Sequence, residues 1–371
     1  MIIGIVKEIK NNEYRVAATP IVVAEIVNHG HKVVLEKDAG LGSGYSDDEY
    51  KAAGAEIYNN AENVWLEAEM IYKVKEILPE EFKYLRENLI VFTYIHSNAY
   101  RKQTEALIKS RCTSIAYEDI SDSNGQWPLL SPMSELAGKG AFLAALHFAQ
   151  TINGGTGQLL ANVCGVGAPV ITIIGCGHSG IGACELASSF GNKVHMLDIS
   201  YDAMKAAKPH LPQNVDFMLS NEENLKRCLR ESDVIINCLL WPKTRKDHLI
   251  NRKDLRFMKK GAMIIDVACD TSGAVETCRS TSHENPIYYE EDILHYCVDN
   301  IPSAFARTAS ITLSNVTLPF AIAIADKGIK RALKEDEHLR RGLTTYAGCL
   351  TLKETAEKIN IAYVAPEEVI K

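Results

Sequence analysis

Short apolar runs alternate with amphipathic stretches along almost the whole chain. In the first third, residues 2–6, 32–35, 70–73, 89–93 and 113–117 read as strands, while 21–28, 79–86 and 101–110 carry helical spacing. Strands that are apolar throughout, separated by helices, predict a parallel sheet covered on both faces. Residues 131–151, "SPMSELAGKGAFLAALHFAQT", form a long helical pattern, with Ser131 placed as N-cap and Pro132 in the first turn. A second alternating set begins at Val170, with strands at 170–174, 193–197, 216–219, 234–239, 263–267 and 295–298. Residues 308–327 are again helical and mostly apolar, and read as a return to the first domain. The pattern predicts an α/β protein of two Rossmann-like, doubly wound parallel-sheet domains with a cleft between them. The first domain is discontinuous (1–130 and 305–371) and the second spans 131–304.

Composition narrows the classes. A chain of 371 residues suits two domains, and 23% charged with 46% apolar residues is globular composition. The net charge of −7, with no basic cluster, gives no electrostatic reason to seek nucleic acid. No apolar run reads as reaching bilayer-spanning length, so no membrane partner is expected. The opening "MIIGIVKEIK" reads as a first strand rather than a signal peptide. The ten cysteines form no C-x-x-C pair. Cys112, Cys184, Cys238 and Cys297 lie in apolar runs and read as reduced core residues, which fits a cytoplasmic protein.

The sharpest motif is Gly175-Cys176-Gly177-His178-Ser179-Gly180, which follows a run of β-branched residues and opens a helix over 181–190. The first glycine permits the tight turn, the second lets backbone approach a pyrophosphate, and the third allows close helix–strand packing. The next strand ends at Asp198, 23 residues after Gly175, where an acid accepts hydrogen bonds from a ribose. A carboxylate there repels a 2′-phosphate, so NAD is the expected cofactor. His178 is read as bordering the phosphates or facing solvent. The competing reading is a Rossmann-like turn with no ligand.

In open α/β sheets, ligands sit beyond the carboxyl ends of the strands. Arg15 follows the first strand, Lys73 and Lys75 the run at 70–73, His96 the run at 89–93 and Asp270 the run at 263–267. Each has a plain structural reading as well. Arg15 suits a solvated loop, Lys75 a surface pair with Glu76 or Glu8, His96 a satisfied structural histidine, and Asp270 a turn cap at Thr271-Ser272-Gly273. One chemistry would use all four: reductive interconversion of an amino acid and a keto acid. Arg15 would clamp a carboxylate and Lys75 would stabilise an oxyanion. His96 would shuttle the proton for water addition to an imine, and Asp270 would manage the amine proton.

These residues lie within segments that resemble bacterial L-alanine dehydrogenases, a family sharing ancestry with the NAD-binding subunit of proton-translocating transhydrogenase. The resemblance spans essentially the whole chain. It includes "GIVKEIKNNEYRVAATP", "KVKE", "TSIAYE", "PLLSPMSELAG", "GCGHSG", "IIDVACD", "HYCVDNIPSAFARTAS" and "LSNVTLPF". It implies oxidative deamination of L-alanine to pyruvate and ammonium with NAD, and the reverse. It assigns Arg15 and Lys75 to substrate binding and His96 and Asp270 to catalysis. Cofactor contacts are implied at Ser134, Gly175, Gly177, His178, Gly180, Asp198, Ser220, Leu239, Leu240, Val267, Asp270, Arg279, Val298, Asn300 and Ile301. A small side-chain pocket at Tyr94, Leu130 and Met133, and a homo-hexamer, are implied too. Some members carry a late-helix Glu and His as a metal site; Ala323 and Lys327 stand there, so no metal is expected. Departures from the family pattern fall at Asn98, at Thr271-Ser272 and at "WPKTRKDH" after Leu240. They keep two alternatives open: a paralogue reducing another 2-keto acid or imine, and a non-catalytic NAD-binding module.

Overall fold

The computed structural model describes residues 1–242, 245–269 and 273–371. The chain divides into two compact units, Met1–Met133 with Phe305–Lys371, and Ser134–Ala304.

The first unit is built on β1 (Ile2–Ile5), β2 (Lys32–Glu36), β3 (Glu56–Tyr58), β4 (Met70–Tyr72), β5 (Ile90–Thr93) and β6 (Thr113–Ala116), all mutually parallel. The second holds β7 (Val170–Ile174), β8 (Lys193–Asp198), β9 (Val215–Leu219), β10 (Val234–Asn237), β11 (Met263–Asp266), β12 (Ile287–Glu290) and β13 (Ile293–Tyr296). The chain then returns to the first unit, where β14 (Leu343–Tyr346) and β15 (Cys349–Leu350) extend its sheet antiparallel beyond β6.

Strand order gives the two sheets one logic. Among the described residues the first runs β15-β14-β6-β5-β4-β1-β2-β3 and the second β12-β13-β11-β10-β7-β8-β9. Each therefore starts at a central strand, winds outward to one side, and then jumps to the other. The order reverses between β1 and β4, and again between β7 and β10. At such a reversal the loops at the carboxyl ends splay apart and leave a crevice. β4, β5, β6, β10 and β11 are buried at every position, as apolar strands covered on both faces must be.

Several elements differ from the expectations. The helix expected at 79–86 is 3₁₀ over Pro79–Tyr84. Helix Ser131–Phe148 already includes Ser131 as its first residue, so Ser131 is not the cap. The glycine-loop helix is His178–Ser189, one turn earlier than the apolar periodicity suggested. The last parallel strand of the second unit is Ile293–Tyr296 rather than 295–298. One correction concerns the apolar runs: Ile301–Lys327 is long and apolar enough to cross a membrane by length and composition. Within the unit its helix, Ala306–Lys327, lays Ala309, Leu313, Ala321 and Ile324 against the core with no exposure. Its Ser310 hydroxyl takes part in two hydrogen bonds at a neighbouring loop, accepting from Val16 N (2.9 Å) and pairing with Ser43 Oγ (2.8 Å). That is the face of a core helix.

Candidate active site

In the first unit, three strand ends converge at the reversal. The loop after β1 presents Arg15, which is 3% exposed. Its guanidinium is held by Glu13, Nε to Oε1 at 2.7 Å and Nη2 to Oε2 at 2.5 Å, while Nη1 reaches Met133 Sδ at 3.7 Å. The Arg15 backbone N–H also donates to Glu13 Oε1 at 3.0 Å, which fixes the turn between the two residues. This is not the solvated loop charge of the plain reading.

The two lysines after β4 have different fates. The buried Lys73 ammonium lies 2.7 Å from Glu8 and 3.3 Å from Glu81. Glu8 also accepts from the backbone N–H of Val74 (2.6 Å) and Lys75 (3.2 Å), so it locks the strand end. Glu76 is bound by Lys10 at 2.7 Å. Both carboxylates considered as partners for Lys75 are thus engaged by other lysines. Among the described residues the Lys75 ammonium has no hydrogen-bond or ion-pair partner. Burial, and then the neighbouring charges of Arg15 and Lys10, push it down to about 8. Two buried cations side by side, one of them with no ion pair among the described residues, make a site that gains by taking up an anion.

His96, after β5, sits in the left-handed region at φ 50°. Its ring stacks on Tyr94 at 5.8 Å and 6°. Its Nδ1 lies 3.6 Å from Glu118 Oε1. Glu118 follows β6 and accepts backbone N–H groups from Ile95 (3.1 Å) and from His96. Burial and the neighbouring Asp119 raise the Glu118 carboxyl to about 8. The Tyr94 hydroxyl donates to the Leu129 carbonyl at 2.9 Å, and burial raises it well above the ordinary phenol range. Arg15, Lys75, Tyr94, His96 and Met133 therefore line one small region of this unit.

In the second unit, Gly175 takes φ 108° at the end of β7. A Cβ on Gly180 would stand 1.8 Å from the Gly175 carbonyl oxygen, so only glycine fits. A Cβ on Gly177 would meet nothing within 4 Å, leaving open space over the loop. Gly138 and Gly182 let helix Ser131–Phe148 lie backbone to backbone on helix His178–Ser189: added Cβ atoms would be 1.8 Å from Ser179 O and 2.5 Å from Glu135 O. The glycine loop is held rigid from below and open above.

Beside it lies a cavity of about 660 Å³ lined by Ile174, Leu197, Asp198, Ser220, Leu239 and Trp241, among others. Asp198 accepts the Cys176 N–H (2.8 Å) and the Ser200 N–H (2.8 Å), which ties its carboxylate to the glycine loop. Ser220 donates its backbone N–H to the Asp198 carbonyl at 2.8 Å. An aliphatic slot ending in a fixed carboxylate beside a helix N-terminus fits a dinucleotide.

The remaining cofactor positions are more dispersed. His178 is exposed, Ser134 is half-buried in the first turn of its helix, and Leu240 is 85% exposed at the cavity mouth. Val267 donates its N–H to Asn237 O at 2.9 Å, just past β11. The Arg279 guanidinium lies 4.0 Å from the Tyr288 ring centroid. Val298 and Ile301 are buried, and the Asn300 carbonyl accepts the Ser303 hydroxyl at 2.9 Å. Asp270, Thr271 and Ser272 lie outside the described residues. Among those described, no group of three or more His, Cys, Asp or Glu side chains is arranged to hold a metal ion.

The sequence reasoning missed Glu13 and Glu118. Glu118 was accessible to the strand-end rule, because it follows β6 as His96 follows β5. Glu13 carried no signal beyond its place two residues before Arg15.

A glycine loop with an acid at the end of the next strand in one unit, and in the other an ammonium with no hydrogen-bond or ion-pair partner among the described residues beside a buried guanidinium, fit a pyridine-nucleotide-dependent oxidoreductase. The family model "Alanine dehydrogenase/PNT, N-terminal domain" matches residues 4–137, and "Alanine dehydrogenase/PNT, C-terminal domain" matches 141–353. The chain belongs to the alanine dehydrogenase/PNT family. It is 41% identical to an alanine dehydrogenase of Staphylococcus haemolyticus (100% of both chains) and 41% identical to one of Bacillus subtilis (100% of this chain, 98% of that one). A solved L-alanine dehydrogenase superposes with TM-score 0.92 at 36% identity, covering 97% of this chain and 99% of that one. A transhydrogenase of Sinorhizobium meliloti shares the fold, at TM-score 0.80 and 21% identity over 95% of this chain and 100% of that one.

Proposed function

We propose that the protein is an NAD-dependent L-alanine dehydrogenase. It converts L-alanine, NAD and water to pyruvate, ammonium, NADH and a proton, and runs the reverse amination. The observation that carries the reading is the Arg15–Lys75 pair, whose ammonium has no hydrogen-bond or ion-pair partner among the described residues, with buried Tyr94 and Met133 in the same region. Arg15, fixed by Glu13, and Lys75 hold the substrate carboxylate, and Lys75 also steadies the carbonyl oxygen as charge develops there. His96 takes a proton from the water that adds to the imine carbon and returns it as the amine leaves. Asp270 is assigned the amine proton on the family resemblance. When bound, the nicotinamide accepts the hydride from the substrate Cα.

NAD is favoured over NADP because Asp198 and Glu222 both line the cavity beside the loop, and carboxylates repel a 2′-phosphate. Ten free cysteines suit a reducing compartment, in keeping with a cytoplasmic enzyme. A homo-hexamer is taken from the family, and light scattering of the purified chain measures it. The decisive assay follows NADH formation with L-alanine, glycine, L-serine and L-lysine. Turnover highest with L-alanine is expected. Turnover with another amino acid and none with L-alanine overturns the substrate and keeps the class.

A further inference from the structure

After β10, Trp241, Arg245 and Asp247 hold one another at the edge of the nucleotide cavity. The Trp241 indole N–H donates to the Asp247 carbonyl oxygen at 3.0 Å. The Arg245 guanidinium lies 4.3 Å from the Trp241 ring centroid. It is turned there by Asp247, with Nε to Oδ1 at 2.8 Å and a second contact from Nη2 to Oδ2. The Arg245 N–H closes a turn on the Pro242 carbonyl at 2.9 Å. Trp241, Arg245 and Asp247 all border the same cavity as Asp198 and Ser220. An indole held at its N–H and packed by a guanidinium has little rotamer freedom left to lose when it meets a planar guest in the cavity it lines.

We propose that Trp241 is the base-recognition residue of this enzyme. It stacks on the adenine of the cofactor while Asp198 takes the ribose, and Arg245 and Asp247 act as positioning residues that set the plane of the ring. The inference rests on the pyridine-nucleotide reading of the cavity. The chemistry favours a purine: Ile174, Leu197, Leu225, Leu239 and Leu249 line the cavity beside Trp241, so stacking and apolar contact supply much of the affinity.

The test is calorimetric titration of AMP and NADH into the full-length wild type and the Trp241→Ala, Trp241→Phe and Arg245→Ala variants. Trp241→Ala is expected to weaken AMP and NADH alike by roughly tenfold, and Trp241→Phe by less than about threefold. Arg245→Ala is expected to fall between them, since the ring remains but is no longer held. AMP should also quench tryptophan fluorescence in the wild type and not in Trp241→Phe. AMP affinity unchanged in Trp241→Ala overturns the proposal. So does equal loss in the alanine and phenylalanine variants, which indicates packing rather than stacking. Failure of the wild type to bind AMP or NADH at all overturns the cofactor reading itself.

Discussion

The carboxylate of Glu13 grips Arg15 at Nε and Nη2, at 2.7 and 2.5 Å, with both side chains buried. Such a fork fixes the guanidinium plane before any substrate arrives, and a lysine cannot reproduce it. Glu13→Gln is expected to raise KM for alanine and pyruvate at least about tenfold with a smaller change in kcat, because it loosens the clamp and not the chemistry. Arg15→Lys is expected to behave similarly. Steady-state kinetics, at saturating NAD for alanine and at saturating NADH and ammonium for pyruvate, measures both. A pure kcat effect would remove the positioning role.

Lys75 predicts a pH dependence with a definite sign. Its ammonium in the folded protein is down at about 8 from 10.5. Carboxylate binding needs the charged form, so kcat/KM for pyruvate should fall as pH rises through about 8. Because bound carboxylate favours that charge, kcat should stay flat to higher pH. The stability effect has the opposite sense. A lowered lysine pKa costs stability below about 8, and the cost fades as pH rises from there towards 10.5, where the unfolded chain also loses its proton. Lys75→Met should therefore unfold at higher temperature than wild type at pH 7, by an increment of about 1–2 kcal/mol that vanishes at high pH. Calorimetric scans at several pH values measure this. Equal stability at all pH values would contradict the strained-cation account.

His96 is argued as the proton carrier, with Glu118 behind it. His96→Ala is expected to lower kcat by about a thousandfold or more while changing NADH affinity less than about twofold. Glu118→Gln keeps an acceptor for the His96 and Ile95 N–H groups, so the loop should survive. What is lost is the ionisation of Glu118 near 8 beside Nδ1, so the kcat/KM profile should change around pH 8 rather than on its acidic limb. A profile that does not move assigns Glu118 to the loop alone.

Two glycines separate packing from binding. Gly180→Ala would drive a methyl onto the Gly175 carbonyl oxygen at 1.8 Å, so loss of soluble folded protein or a large drop in Tm is expected. At Gly177 an added Cβ meets nothing within 4 Å of the protein. Gly177→Ala should fold normally and yet bind NADH at least about tenfold more weakly, because the methyl occupies the approach of the pyrophosphate. Circular dichroism and calorimetry distinguish the two cases. Normal NADH affinity in Gly177→Ala would place the phosphates elsewhere.

Legibility in the sequence followed the length scale of each interaction. Parallel strands buried on both faces announce themselves as apolar runs, which is why β4, β5, β7 and β10 were readable. β3 at Glu56–Tyr58 is short and only half-buried, and β12 is an antiparallel edge with partial exposure, so neither stands out from its surroundings. The start of helix His178–Ser189 was hidden because Gly180 sits inside it for backbone clearance, where periodicity sees only a helix breaker. Arg15, Lys75 and His96 were found because the strand-end rule needs only local sequence. That Lys73, and not Lys75, takes Glu8, and that Glu76 is claimed by Lys10 from a distant loop, depends on contacts between residues far apart in the chain. Such assignments are made in three dimensions.

The account turns on a substrate carboxylate held by two specific cations, and a crystal structure of the enzyme with pyruvate and NADH bound tests it most directly. The expected result places the pyruvate carboxylate and carbonyl oxygens about 3 Å from the Arg15 guanidinium and the Lys75 ammonium, with the His96 ring next to the keto carbon. Pyruvate bound with its carboxylate away from both cations, or Lys75 found paired with Glu76 in the complex, would contradict it.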